Sequence, residues 1–231
     1  MSVTQGDDST DSVSWKRASA LTGAESLVRA ARSQGVSDPK VLEALYFVPR
    51  GCFLPAQLRD EAGGDYAIPI GQAQTTSQPS LIALMIEALQ LKPEDTVLEV
   101  GTGFGYETAL LARLVRQVFS VERLPELATV ARRNLAQEGA SNLEVITGDG
   151  TLGLPGRAPF DAIVVAAAFV SVPLPLADQL HLGGRLVMPV GNGEVEVVTL
   201  YEKRLAGLTE LRLLCKARFV PLVGANGYGA D

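Results

Sequence analysis

The spacing of hydrophobic residues changes at Pro93. Before it, apolar positions between Trp15 and Gln34 recur every three or four residues, which predicts an amphipathic helix, and GVSDPKVLEALYFV predicts a shorter helix capped by Ser37. After it, short apolar runs alternate with amphipathic segments: TVLEVG, ETALLARLV, QVFSVE, ELATVARRNLAQEG and LEVITG. Strands that alternate with helices of this length predict a parallel sheet with right-handed crossovers.

The last part of the chain predicts how this sheet ends. FDAIVVAA is typical of a strand buried on both faces. GGRLVMPVG, EVEVVTLYEKR and ELRLLCKARFVPL follow with no room for long helices, which predicts antiparallel strands. The expected fold class is therefore α/β: a doubly wound, mostly parallel, Rossmann-like sheet with antiparallel C-terminal strands and a helical N-terminal extension.

Composition narrows the function classes. The 231 residues are 47% hydrophobic and 20% charged, and the net charge of −6 disfavours nucleic acid as a partner. Cys52, Cys215 and His181 are too few for a zinc cluster or a disulfide framework, so a reducing compartment and no metal are expected. The run DAIVVAAAFVSVPLPLA is shorter than the roughly 20 residues that span a bilayer, and Pro173 and Pro175 interrupt it.

The clearest chemical signal is VLEVGTGFGYETALLARL. A buried strand is predicted to end at Val100, and Gly101, Gly103 and Gly105 let the backbone turn tightly and approach a ligand before a helix begins. The spacing is G-x-G-x-G, because Tyr106 occupies the position of the third glycine in a dinucleotide fingerprint. The glycine pattern alone is a weak signal.

Acids follow the next two predicted strands. Glu122 comes about 20 residues after the glycine loop, where a carboxylate accepts both ribose hydroxyls of an adenosine. Asp149 in GDG follows the third strand, where it can accept a hydrogen bond from an adenine amino group. This spacing indicates a nucleotide or S-adenosylmethionine site. The alternative is that both acids merely cap the helices that follow them.

Longer motifs between residues 25 and 223 resemble the protein-L-isoaspartate O-methyltransferase family. They are FVPRGCFLP, PIGQAQTTSQP, LEVGTGFGYETALLA, FSVER, GDGTLGLPGRAPFDAIVVAAA, QLHLGGRLVMPVG and RFVPL. The resemblance implies a methyltransferase sheet and transfer of a methyl group from S-adenosyl-L-methionine to isoaspartyl carboxylates of damaged proteins or peptides. S-adenosyl-L-homocysteine is the other product, and the ester then closes to a succinimide that reopens partly as normal aspartate.

The resemblance also assigns residues to the site. Ser77 matches the active-site serine of the Q-T-x-S motif. Substrate contacts are expected at Thr76, Ser77, Arg218, Val220 and Pro221. Cofactor contacts are expected at Thr75, Thr76, Glu99, Gly101, Thr102, Gly103, Glu122, Asp149 and Gly150. The alternatives are that Thr76 and Ser77 cap the helix SLIALMIEALQL, and that Arg218 is a solvated strand-end residue.

The active-site segment carries little charge. Residues 67–86 contain no ionisable side chain, and three glutamines, two threonines and a serine lie between Pro69 and Pro79. A carboxylate has an ordinary pKa near 4, so at neutral pH it is already a nucleophile and needs no general base. Neutral hydroxyl and amide groups are therefore suited to orienting it.

The expected organisation is a disordered acidic tail over residues 1–14 and a single methyltransferase domain over 15–231. Residues 15–92 hold the N-terminal helices and active-site segment, 93–191 the cofactor-binding core, and 192–231 the C-terminal strands. The expected partners are isoaspartyl proteins or peptides, with neither nucleic acid nor membrane; the expected location is cytoplasmic, and a monomer is favoured.

Some features depart from the family pattern. Ala73 stands where a glycine is common, Phe104 lies within the glycine loop, and LRDEAGGDYAIPIG replaces a shorter approach to the active-site motif. A related methyltransferase acting on another carboxylate, and an inactive cofactor-binding homologue, therefore stay open as alternatives. A Ser-His-Asp hydrolase is excluded, because the sole histidine, His181, is predicted at a helix end and no G-x-S-x-G motif is present.

Overall fold

The computed structural model describes residues 23–193 and 195–229. Two short strands, β1 (Ile68–Gly71) and β2 (Gln74–Thr76), form an antiparallel hairpin. The remaining strands are β3 (Thr96–Val100), β4 (Gln117–Glu122), β5 (Leu143–Thr147), β6 (Phe160–Val165), β7 (Leu180–Val190), β8 (Glu196–Arg204) and β9 (Gly207–Ala217). They form a seven-stranded sheet in the order β5-β4-β3-β6-β7-β8-β9.

Helices cover the sheet and connect its strands. They are α1 (23–33), α2 (Pro39–Phe47), α3 (Pro79–Leu89), α4 (Tyr106–Ala112), α5 (Pro125–Gln137) and α6 (Leu174–Asp178). Short 3-10 helices occur at Arg50–Phe53, Ala56–Glu61, Gly150–Leu152 and Pro155–Arg157. No helix in the described part of the chain is long and apolar enough to cross a membrane.

The order of the parallel strands creates a crevice. The chain first adds β4 and β5 on one side of β3 and then returns to place β6 on the other side. Residues 97–100 of β3 therefore pair with 118–121 of β4 and with 162–165 of β6. Ligands of doubly wound sheets bind outside the carboxyl ends of the strands where the order reverses, so the ends of β3 and β6 are the expected location.

Apolar layers pack on both faces of the sheet, which is why its central strands are almost uniformly hydrophobic. Val97 belongs to the layer that contains the buried faces of α2, α3, α4 and α5. Leu98 and Val100 belong to the opposite layer, together with Phe160 and Leu176. This two-sided burial holds the ends of β3 and β4 rigidly beside the crevice.

The structure confirms the predicted α/β order, with refinements at the ends of elements. β8 pairs antiparallel with both β7 and β9, which agrees with the predicted antiparallel end of the sheet. β7 itself runs parallel to β6. His181 lies in β7 and not at a helix end, because that strand begins at Leu180. RFVPL lies beyond β9, where Pro221 bridges to Ala168.

The N-terminal prediction is confirmed within the described residues. Residues 23–33 are helical, whereas the predicted tail over 1–14 and the start of the predicted first helix lie outside the described ranges. The cap of α2 is Asp38, whose Oδ1 accepts a hydrogen bond from the Lys40 N–H at 2.8 Å. The prediction of Ser37 was wrong by one residue, because its N–H and hydroxyl bond to Glu87 instead.

Candidate active site

A cavity of about 380 Å³ opens at the carboxyl ends of β3, β4 and β6. Its walls are the β1–β2 hairpin with Ser77, the glycine loop after β3, residues 121–124, and the segment from Val220 to Val223. A volume of this size is suited to a small organic ligand. The cavity lies at the place that the strand order predicts.

Glycines let the backbone around this cavity pack closely against neighbouring side chains. Gly105, with φ of 95°, is the cap residue of α4, and an added Cβ would lie 3.0 Å from Leu135 Cγ. A Cβ on Gly150 would lie 2.4 Å from Val100 Cγ1, so no side chain fits between β3 and the start of the turn after β5. The glycine signal in the sequence therefore reflects a backbone that a larger residue would displace.

Glu122 lines the cavity at the end of β4 and is 7% exposed. Its Oε2 accepts from the Gly103 N–H at 2.9 Å, and its Oε1 accepts from the Leu124 N–H at 3.0 Å. Leu124 is the cap residue of α5, so the carboxylate bonds both the glycine loop and the start of the next helix. These bonds hold Glu122 beside the loop, where the ribose of an adenosyl group is expected.

Asp149 lies behind the cavity wall. It caps the Gly150–Leu152 turn, accepting from the Thr151 N–H at 2.8 Å and the Thr151 hydroxyl at 2.6 Å, and its Oδ2 accepts from the Ala225 N–H at 2.7 Å. Burial acts to raise the pKa of Asp149, but the bonds from Ala225 and Thr151 bring it below its ordinary value. The capping alternative is confirmed for Asp149, and its contact with adenine stays a prediction.

Most of the predicted cofactor residues meet at one cavity. The cavity is lined by Thr75, Thr76, Gly101, Thr102, Gly103, Glu122 and Gly150, whereas Glu99 and Asp149 are not among its lining residues. Of the predicted substrate residues, Thr76, Ser77, Val220 and Pro221 also line it. Arg218 is exposed and lies outside the lining.

Thr76 and Ser77 do not cap α3. The cap position is Gln78, which makes no side-chain cap hydrogen bond. The Ser80 N–H instead donates to Asp65 Oδ1 at 2.8 Å. The capping interpretation was wrong for both residues because the acceptor comes from a segment distant in sequence. The half-buried Ser77 therefore lines the cavity without a role at the helix terminus.

Arg50 is a positioning residue that sequence reasoning missed. Its guanidinium, only 3% exposed, donates to Gly64 O at 2.6 Å, Tyr66 O at 2.7 Å and Ser77 O at 3.5 Å. These bonds fasten the segment that carries the neutral motif to the rest of the protein. The available signal was a single charge within the otherwise apolar FVPRGCFLP.

The tip of the β1–β2 hairpin is strained. Gln72 and Ala73 have φ values of 52° and 55°, in the left-handed region that costs a non-glycine residue about 1 kcal/mol or more. Both residues line the cavity. The departure of Ala73 from the family glycine therefore falls on a residue whose backbone favours glycine.

Ala73→Gly is expected to stabilise the protein slightly. Relief of the left-handed strain at Ala73 outweighs the larger chain entropy of glycine, for a net gain of about 0.5 kcal/mol in the free energy of unfolding. Urea denaturation would measure this difference. Ala56→Gly, at the first residue of a 3-10 helix, is the control and should destabilise the protein. A loss of stability in Ala73→Gly as well would contradict the proposed strain at Ala73.

Two acids are buried behind and beside the glycine loop. Glu99 on β3 is fully buried; its Oε2 accepts from the Thr108 hydroxyl at 2.5 Å, and its Oε1 has no partner among the described residues. Glu107, the second residue of α4, lines the cavity, and its Oε1 likewise has none. Sequence reasoning missed Glu107, for which the available signal was an acid directly after the glycine loop.

Burial dominates the titration of this pair. Desolvation raises the pKa of Glu99 to about 7, against a lowering by the nearby hydroxyls of Ser120 and Thr108 and with a further increase from the charge of Glu122. Desolvation, followed by the charge of Glu99, also raises the pKa of Glu107 well above its ordinary value. The pair therefore retains protons at pH values where exposed carboxyls have lost them.

This pair should make the protein less stable as pH rises. The folded state binds more protons than the unfolded state between the ordinary pKa of 4.5 and about 7, so the free energy of unfolding falls across this window. Glu107→Gln should raise that free energy at pH 8 by more than about 1 kcal/mol and have a small effect at pH 4.5. Urea denaturation at both pH values measures it, and an equal effect at the two would contradict the prediction.

The sheet order, the glycine loop at the end of β3 and the carboxylate at the end of β4 define a doubly wound, Rossmann-like fold with its ligand site at the carboxyl ends of the strands. Residues 22–227 match the family model for protein-L-isoaspartate(D-aspartate) O-methyltransferase (PCMT). The chain belongs to this family.

Individual relatives agree with the family match. The chain is 49% identical over 200 residues to the protein-L-isoaspartate O-methyltransferase of Methanoculleus marisnigri, covering 87% of this chain and 90% of that protein. It is 48% identical over 193 residues to that of Myxococcus xanthus, covering 82% and 91%. A solved protein-L-isoaspartate O-methyltransferase superposes with a TM-score of 0.76 at 31% identity. The superposition covers 88% of this chain and 66% of the solved chain. A structure from Plasmodium falciparum, 24% identical with a TM-score of 0.72, has the same fold.

Proposed function

We propose that the protein methylates the side-chain carboxylate of L-isoaspartyl residues in damaged proteins or peptides, with S-adenosyl-L-methionine as the donor. The observation that carries this proposal is the neutral wall formed by Thr75, Thr76 and Ser77, which faces a cavity whose other wall is the glycine loop. Membership of the family supports the assignment of donor and acceptor.

The residues of the cavity fit the donor. Glu122 offers a carboxylate to the ribose hydroxyls, and the glycines at 101, 103 and 150 line the cavity without side chains. Glu107 contributes a buried oxygen that lacks a partner among the described residues, as expected where a ligand supplies one. S-adenosylmethionine, when bound, supplies an electrophilic methyl group on a positively charged sulfur.

The role of the neutral wall is to position the acceptor. The isoaspartyl carboxylate is ionised at neutral pH, so one of its oxygens forms the new bond to the methyl carbon while the bond from carbon to sulfur breaks. The electron pair of that bond remains on sulfur, and no proton is transferred. The Ser77 hydroxyl and the neighbouring threonines orient the carboxylate by hydrogen bonds without neutralising its charge.

The C-terminal segment closes the substrate side of the site. Val220 O accepts from the Ala168 N–H at 2.8 Å, and the Leu222 N–H donates to Ala168 O at 2.7 Å. Val220 and Pro221 are thereby held against the cavity, where we place the contacts to the peptide. Because these contacts are few and mostly apolar, they suit acceptors that share the isoaspartyl group and differ in flanking sequence.

Labelled methyl transfer to an isoaspartyl peptide, with the aspartyl peptide of the same sequence as its control, tests the function. We expect labelled methyl groups on the isoaspartyl peptide and only background labelling of the aspartyl peptide. Equal labelling of both peptides would favour a carboxyl methyltransferase with another acceptor. Binding of the donor with no ester formed on either would favour an inactive homologue.

A further inference from the structure

The lining of the cavity contains few charges. Among the described lining residues they are Glu107, Glu122 and Arg123. Arg123 is exposed, and Glu122 bonds the glycine loop and Leu124. Glu107 differs from both, because it is 7% exposed and its Oε1 has no partner in the described part of the chain. A buried carboxyl oxygen without a donor is costly unless a ligand supplies one or the group is protonated.

The surroundings of Glu107 favour protonation. The side chains that act on the Glu99–Glu107 pair are Glu122 and Ser120 on β4 and Thr108 on α4. The one of them that carries a charge is an acid, and the β1–β2 hairpin on the other wall of the cavity has no ionisable side chain. In the cofactor-free protein, the two carboxyls therefore avoid full ionisation by keeping at least one proton.

The strand order places Glu107 relative to the cofactor. Glu122 on β4 and Gly150 after β5 lie on the side of the sheet where the adenosine is expected. The methionyl end then extends toward β3, where α4 begins and where Glu107 lines the cavity. That end carries an α-ammonium group, which is a cation with hydrogen-bond donors.

We propose that Glu107 binds the α-ammonium group of the methionyl moiety, and that cofactor binding releases the proton held by Glu107 and Glu99. The acid loses its proton to the solvent buffer, and the resulting carboxylate accepts a hydrogen bond from the ammonium group. No covalent bond between heavy atoms changes. This inference rests on the cofactor assigned in the proposed function, and it adds a residue and a proton to that assignment.

Calorimetric titration with S-adenosylhomocysteine, which carries the ammonium group and does not react, tests the inference on the full-length protein. The measurement is made at about pH 6.5, below the pKa of about 7 of Glu99, in buffers that differ in ionisation enthalpy. We expect the release of roughly one proton per site at this pH. Glu107→Gln should release none and should bind about 10 to 100-fold more weakly.

Two controls separate this contact from other effects. Glu126→Gln changes an exposed acid at the equivalent second position of α5 and should behave like the unchanged protein. 5′-Methylthioadenosine lacks the amino-acid moiety and should bind without proton release. Release with this probe, or release by S-adenosylmethionine but not by S-adenosylhomocysteine, would overturn the assignment to the ammonium group.

The outcomes also distinguish this inference from the proposed function. Failure of S-adenosylhomocysteine and S-adenosylmethionine to bind the folded protein would count against the cofactor itself. Normal binding with no proton release, or unchanged release in Glu107→Gln, would overturn only the role of Glu107. Glu107→Gln is expected to fold, because glutamine has nearly the same shape and removes a buried ionisable group.

Discussion

Glu122→Ala is expected to weaken S-adenosylhomocysteine binding by roughly 1.5 to 3 kcal/mol, the range for hydrogen bonds to a charged partner. The carboxylate lines the cavity at the end of β4, where it would accept from the ribose hydroxyls. Its bonds from the Gly103 N–H and the Leu124 N–H show that it also fixes the shape of the glycine loop. Titration calorimetry measures the affinity directly.

The two contributions of Glu122 can be separated. An analogue that lacks the ribose hydroxyls should bind the unchanged protein more weakly, and Glu122→Ala should add little further loss if the carboxylate acts through those hydroxyls. Glu126→Ala, an exposed acid in the first turn of α5, is the matched control. Unchanged affinity in a folded Glu122→Ala variant would restrict this residue to its structural bonds.

Periodicity predicted much of the fold because the central strands are buried on both faces. Apolar runs such as QVFSVE and FDAIVV cannot lie elsewhere without exposing apolar surface, and they became β4 and β6 with the predicted bounds or nearly so. The glycine loop was predictable for the same kind of reason, since its backbone admits no larger side chain at Gly105.

Contacts between segments distant in sequence were not predictable in this way. Asp65 bonds the start of α3, Arg50 fastens residues 64–77, and Asp149 is bonded by Ala225, which lies 76 positions further along the chain. Each is a polar side chain whose partner is set by tertiary structure and not by local spacing. Glu107 escaped notice because an acid in the first turn of a helix has an ordinary local explanation.

Ser77→Ala is expected to lower the turnover number by about 10 to 1,000-fold while S-adenosylhomocysteine affinity is largely kept, because an aligning hydroxyl acts on the acceptor in the transition state. Since Gln78 holds the cap position of α3 and Ser80 bonds Asp65, loss of the Ser77 hydroxyl should leave the melting temperature nearly unchanged. Saturating kinetics with an isoaspartyl peptide and thermal melting on one preparation measure both quantities.

Companion variants make the Ser77 result specific. Asp65→Ala removes the acceptor for the Ser80 N–H, the Ser80 hydroxyl and the Gln78 amide, so it should cost at least about 1 kcal/mol of stability, in contrast to Ser77→Ala. Ser77→Thr keeps the hydroxyl and adds a methyl group to the cavity wall, so partial activity there would attribute the effect to the oxygen and not to side-chain size. Normal turnover in Ser77→Ala, with or without a lower melting temperature, would contradict a catalytic role for the Ser77 hydroxyl. Orientation of the carboxylate would then be assigned to Thr75 and Thr76.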